Sequence, residues 1–67
     1  MLNKNAVDAD GNTALHLSSQ QGQADVIQFL ISEANVDHTI KNSVGYVAYD
    51  IAYNADVQGL FEQLIGG

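Results

Sequence analysis

The sequence predicts an all-α chain built as a short solenoid of stacked helix pairs. Two observations carry this. The chain nearly repeats itself, with Gly11 returning as Gly45, 34 residues on, and within each copy apolar residues fall on helical stripes between turn-forming clusters. In the same register Ala14 returns as Ala48, Leu17 as Ile51, Val26-Ile27 as Leu60-Phe61 and Leu30-Ile31 as Leu64-Ile65. Upstream, Leu2 matches Val36, Asn3 matches Asp37 and Asp8 matches Asn42. A period of this size marks stacked supersecondary units instead of a globular enzyme core. Such stacks present a surface and hold a partner.

Residues 1–12 read as extended or turning chain, closing in Asp8-Ala9-Asp10-Gly11-Asn12, residue types that tolerate positive φ. Thr13 opens a short helix through Gln21, with Ala14, Leu15 and Leu17 as its apolar members. Gly22 ends it, as a left-handed residue at a helix terminus does. A second helix runs from about Ala24 to Glu33. Val26, Ile27, Leu30 and Ile31 form one broad stripe there, with Phe29 beside it. Leu30 is expected between the stacked pairs. Asp25 complements the dipole of the first turn, and Asn35 is a left-handed residue after the last. Residues 36–46 repeat the extended chain and turn, through Asn42-Ser43-Val44-Gly45. A helix follows at about 47–53. The last helix runs from near Val57 to Ile65, with Asp56 as its N-cap and Gly59 weakening it by about 1 kcal/mol relative to Ala. Neither pair buries its stripe alone; stacking one on the other buries both.

Size and charge exclude several classes. A core in 67 residues supplies about 3–5 kcal/mol at best. There is no Cys, so no disulfide and no thiolate metal site. Without bridges or a signal-peptide core at Met1-Leu2-Asn3-Lys4-Asn5, a cytoplasmic or nuclear location is expected. Eight acids face two bases, a formal charge of −6, which opposes binding to nucleic acid phosphates and to anionic membranes. No apolar run reaches membrane-spanning length.

The run Asp8-Ala9-Asp10-Gly11-Asn12-Thr13-Ala14-Leu15-His16-Leu17-Ser18 resembles the opening of an ankyrin repeat, whose signature is Thr-Pro-Leu-His with a Gly two residues earlier. Gly22 falls where that family places its inter-helix glycine. Val26-Ile27-Gln28-Phe29-Leu30-Ile31 is similar to the apolar second helix, and residues 35–42 are similar to the β-hairpin finger joining successive repeats. The resemblance implies an ankyrin-type helix-turn-helix α-solenoid with β-hairpin finger loops. It assigns 1–12 to the finger and turn of a preceding repeat, 8–41 to a first repeat and 42–67 to a second.

The departures are informative. Ala14 stands for the usual Pro. The spacing exceeds the family's usual length of about 33, and the extra residue falls near Ser32. The second copy, Gly45-Tyr46-Val47-Ala48-Tyr49-Asp50, has Val47 for Thr and Asp50 for His, and Asp56 where the inter-helix glycine belongs. That degeneration resembles a C-terminal capping repeat, whose outer face meets water. The chain begins inside a finger, so the expected context is the C-terminal end of a longer array. An uncapped N-terminal face would favour self-association.

Candidate chemistry is sparse. The resemblance gives Thr13 and His16 a structural role, bonding backbone and neighbouring repeats. Asp8 and Asp10 fit turn chemistry better than acid–base work, and no nucleophile–base–orienter set is present. No enzymatic activity, cofactor or metal is expected. Tyr49 replaces the core Leu of the signature and is expected to pack; Tyr46 follows the turn glycine, where the family displays variable contact residues. Position by position, the family's contact surface falls on Ala9, Asp10, Asn12, Gln20 and Gln21 in the first unit. In the second it falls on Lys41, Ser43, Val44, Tyr46, Asn54 and Ala55. The function expected is a protein–protein interaction module presenting a rigid concave and finger surface to another protein or domain. The alternative is a structural bracing segment of a larger protein, with no partner of its own.

Overall fold

A computed structural model describes residues 6–66 of the chain. The expected finger of 1–12 therefore lies partly outside the described residues, as do Leu2 and Lys4. The 34-residue repeat is physical. Asp8 Oδ1 accepts from the N–H groups of Asp10 and Asn12, both at 2.9 Å, while the Asp8 N–H donates to the Asn12 carbonyl at 3.0 Å. In the second copy Asn42 Oδ1 accepts from Val44, Gly45 and Tyr46 at 3.0, 3.1 and 3.0 Å, and the Asn42 N–H donates to the Tyr46 carbonyl at 2.9 Å. Gly11 and Gly45 sit at φ 77° and 97°, inside the same turn. No strand forms among the described residues, so the finger is a pair of braced turns instead of a β-hairpin.

Helix α1 spans Ala14–Gln21 and is capped by Thr13, whose hydroxyl accepts from the His16 N–H at 3.2 Å. The His16 ring answers: its Nδ1 accepts from the Thr13 N–H at 3.1 Å, closing a capping box. The helix ends at Gly22, φ 71°, as the sequence predicts. A Cβ there would also lie 3.0 Å from the Tyr53 ring, so glycine is required twice over. Helix α2 spans Ala24–Ser32. Ile27 is its fully buried residue; Leu30, expected at the centre of the stripe, is half-buried. After α2 the Ala34 N–H bonds the Phe29 carbonyl and the Val36 N–H bonds the Leu30 carbonyl, a widened turn where the sequence puts its extra residue. Asn35 takes the left-handed conformation at φ 57°.

The second copy departs from two expectations. The helix expected over 47–53 is a four-residue 3₁₀ turn, Ala48–Ile51. The N-cap of the last helix, α3, is Asn54 and not Asp56: α3 spans Ala55–Ile65, and Asn54 Oδ1 accepts from the Val57 N–H at 3.0 Å. Both follow from the missing inter-helix glycine. Without a left-handed residue at 56, the chain turns through extended Ala52 and Asn54, which shortens the first helix and lengthens the second. Asp56 lies in the first turn of α3, where its charge complements the dipole.

Leu15, Ile27, Val36, Ala48, Val57 and Phe61 form the core, drawn from both copies, with Leu30, Ile31, Leu60 and Leu64 packed around it. Helix α1 rests on the 3₁₀ turn and α2 on α3. Polar bonds stitch the same interface. Ser19 Oγ donates to the Ala48 carbonyl at 2.6 Å, the Tyr53 N–H to the Ser19 carbonyl at 2.9 Å, and the Ser43 N–H to the Asp10 carbonyl at 3.0 Å. His16 Nδ1 faces donors, so Nε2 carries the proton and donates to the Tyr46 carbonyl at 2.8 Å. His16→Ala removes the acceptor for a buried N–H and the inter-repeat donor together. It is expected to cost about 2–4 kcal/mol, read as a lower urea midpoint.

Candidate functional site

The expected contact residues gather on the two turns and on the ends of the short helices. Ala9 and Asp10 are exposed on the first turn, and Lys41, Ser43 and Val44 on the second. Val44 is 73% exposed and Tyr46, one residue past the turn glycine, 48%. Gln20 and Gln21 are exposed at the end of α1, and Ala55 at the start of α3. Rigidity comes from beneath. The carbonyl of Asp10 and the backbone of Ser43 tie the two turns together, and a Cβ on Gly11 would meet the Ser43 nitrogen at 2.8 Å.

Several of these residues are already engaged. Asn12 Oδ1 accepts from Asn42 Nδ2 at 3.0 Å, bracing one turn on the next. Asn54 is spent on capping α3, and Ser43 uses its N–H as the strut to Asp10. The side chains left free of intramolecular hydrogen bonds at this surface include those of Val44, Tyr46 and the two glutamines.

One aromatic at the same end of the short helices was not among the expected contact residues. Tyr53 follows the 3₁₀ turn, is 68% exposed, and lies on Gly22. The signal was available: Tyr53 stands 34 residues after Ser19, a bulky ring in place of a small buried hydroxyl.

Several of the acidic groups do structural work. Asp8 is held by its turn, as above. Asp50 sits where His16 does in the first copy and keeps half its role: Oδ2 accepts from the Val47 N–H at 3.2 Å. A carboxylate cannot make the donor bond that His16 Nε2 makes to the next unit. The Thr39 hydroxyl, and then its N–H, donate to Asp37 Oδ1 at 2.5 and 2.8 Å and hold that carboxyl below the ordinary aspartate value. The turn's contribution is thus present above that value and fades as pH falls through the lowered one. Tyr49, expected to pack as the signature Leu does, sets its ring edge-on to Phe61, centroids 6.1 Å apart, yet stays 36% exposed. Its hydroxyl donates to Glu62 Oε2 at 2.8 Å; that bond first, and the nearby Glu62 and Asp50 charges, raise the phenol above its usual value. Among the described residues no group of three or more His, Asp or Glu is placed to hold a metal ion, and no helix is long and apolar enough to cross a membrane.

Comparison with known proteins agrees with this geometry. The sequence model of the ankyrin repeat family matches residues 10–43. The chain is 33% identical over 61 residues to oxysterol-binding protein homolog 2 of Saccharomyces cerevisiae, covering 91% of this chain and 5% of that protein. It is 38% identical over 61 residues to human neurogenic locus notch homolog protein 1, covering 91% of this chain and 2% of that one. The chain thus spans a small fraction of the curated relatives it matches. Its fold superposes on the crystal structure of the Osh1 ANK domain from Kluyveromyces lactis with a TM-score of 0.93 at 24% identity, over 98% of this chain and 26% of that one. A crystal structure of the yeast ribosomal protein Rps3 in complex with its chaperone Yar1 matches with a TM-score of 0.79 at 33% identity, covering 94% and 42%.

Proposed function

The chain belongs to the ankyrin repeat family, and from that premise we propose that it is a protein-interaction module at the C-terminal end of a longer array. The carrying observation is the doubled, hydrogen-bonded turn. It holds Val44 and Tyr46 in fixed exposed positions, so a partner orders little of this surface on binding. Its partner is another protein or domain, and the chain performs no chemistry itself. The contact surface comprises Ala9, Asp10, Gln20 and Gln21 from the first unit and Lys41, Val44, Tyr46 and Ala55 from the second. Asn12, Ser43 and Asn54 contribute only what their bracing roles leave free.

Two observations support the place in the array. At the front, Ala14 is exposed while Ala48, its counterpart, is buried; Leu17 and Val26 are exposed while Ile51 and Leu60 are half-buried. The first unit thus offers the face that the second has covered. At the back, Asp50 and Tyr53 replace the His16 and Ser19 that dock one unit on the next, and Val47 replaces the Thr13 that caps α1. A cytoplasmic or nuclear location fits such a module. Bracing of a neighbouring domain through the front face is the second reading, and self-association there the third.

Site-specific photo-cross-linking tests the contact surface. A benzoylphenylalanine at position 46 is expected to yield a defined adduct with a second protein in cells, and the same probe at exposed position 29 no such adduct. Against the partner so identified, Tyr46→Ala should weaken binding about tenfold or more with the fold retained by circular dichroism. No adduct at 46, or equal adducts at both positions, would remove this surface from the function.

A further inference from the structure

A second surface feature lies away from the Gly11 and Gly45 turns, between His38, the 3₁₀ turn and α3. His38, Tyr49, Phe61, Glu62, Ile65 and Gly66 line an open cleft of about 230 Å³. Its floor is apolar: the edge-to-face pair of Tyr49 and Phe61, with Ile65, 37% exposed, along one side. In the first copy the residue matching Tyr49 is Leu15, which is fully buried. Glu62 stands at the rim. One carboxylate oxygen takes the Tyr49 hydroxyl, and the other has no partner among the described residues. Asp50 adds a second negative charge on the Tyr49 side. His38 also lines the cleft, next to Asp37. The whole chain carries −6, so the field over this face favours cations.

From this cleft we infer a docking site for a basic peptide segment of a partner protein, with one apolar side chain seated on Tyr49, Phe61 and Ile65 and an adjacent Lys or Arg against Glu62. Two other occupants fit the face less well. A third repeat would need the donors that dock the second unit on the first. Asp50 is turned back on Val47 and can only accept, and Tyr53 lies on Gly22 in place of the Ser19 hydroxyl. A second copy pairing through this same face would bring one acidic face to another, and like charges disfavour that pairing. The site goes beyond the turn surface and stands or falls separately from it.

The probe is the capped pentapeptide Gly-Arg-Phe-Arg-Gly, titrated into the isotopically labelled 67-residue chain and followed by amide chemical shifts. Saturable shifts are expected at His38, Tyr49, Glu62 and Ile65, weakening as salt is raised. Glu62→Gln is expected to weaken binding about threefold to fivefold, as loss of one exposed charge pair does. Ile65→Ser should abolish it, and Gly-Glu-Phe-Glu-Gly should not bind. Both substitutions fall on exposed positions, and circular dichroism checks that the fold is kept. Shifts confined to Val44 and Tyr46, or affinity unchanged in Glu62→Gln, would overturn the assignment. So would a repeat fused after Gly67 that stabilises the chain, since it would show that this face takes another unit.

Discussion

Phe61→Ala is expected to leave the chain largely unfolded at 25 °C. Phe61 is 1% exposed and is the largest of the fully buried side chains. It sits on α3 among Leu15, Ile27 and Val57, so its ring is shared by both repeats. Truncating a buried Phe costs about 3–5 kcal/mol, from lost transfer energy and from the cavity left behind. A core in a chain of this length supplies about the same amount, so no reserve remains. Thermal and urea melts by circular dichroism measure the effect. Phe29→Ala is the control, because Phe29 is 58% exposed on α2 and its removal should shift stability by about 0.5 kcal/mol or less. Equal midpoints for the two variants would place the core elsewhere.

The contrast between these two phenylalanines shows how far the sequence reaches. Helical spacing put Phe29 beside the stripe of the second helix and Phe61 within that of the last, and spacing alone cannot say which side of a stripe meets the neighbouring unit. The repeat register does better, since Phe61 pairs with Ile27, the other fully buried member. The turns at Gly11 and Gly45, where the two copies agree, were read correctly, and so were the first copy's cap at Thr13 and the left-handed Gly22 and Asn35. Where the copies diverge, local pattern misled. The helix expected over 47–53 shrank to Ala48–Ile51, and Asn54 displaced Asp56 as the cap, because a missing glycine changes a chain path several residues upstream. The candidate surface was legible for Val44 and Tyr46, whose exposure follows from the turn they flank. Tyr53 and the Tyr49–Glu62 pair were not, because both depend on how the shortened 3₁₀ turn meets α1 and α3.

One repeat fused ahead of Met1, in phase with the 34-residue spacing, is expected to stabilise the chain by on the order of 3 kcal/mol. Stability in a quasi-one-dimensional stack is a sum of intrinsic and interface terms, and the fusion adds one interface. The structure supplies the measure of it. Ala48 is 1% exposed beneath the first unit, while Ala14, in the same place one unit earlier, is exposed together with Leu17 and Val26. Completing the burial of a Leu or Val side chain is worth about 1.5–3 kcal/mol when it begins fully exposed, and less here because Leu17 and Val26 are partly covered. Val26→Lys separates this interface from a general gain. In the bare chain Val26 is 40% exposed and the substitution should change stability by about 0.5 kcal/mol or less, whereas in the fusion it should remove most of the increment. Urea midpoints of the four proteins give the comparison, and sedimentation reports whether the bare chain pairs through the same face. If the bare chain is a stable monomer and the fusion adds nothing, the front face is not an interface waiting for a unit. The two repeats then form a self-contained domain, and the place at the end of a longer array has to be abandoned.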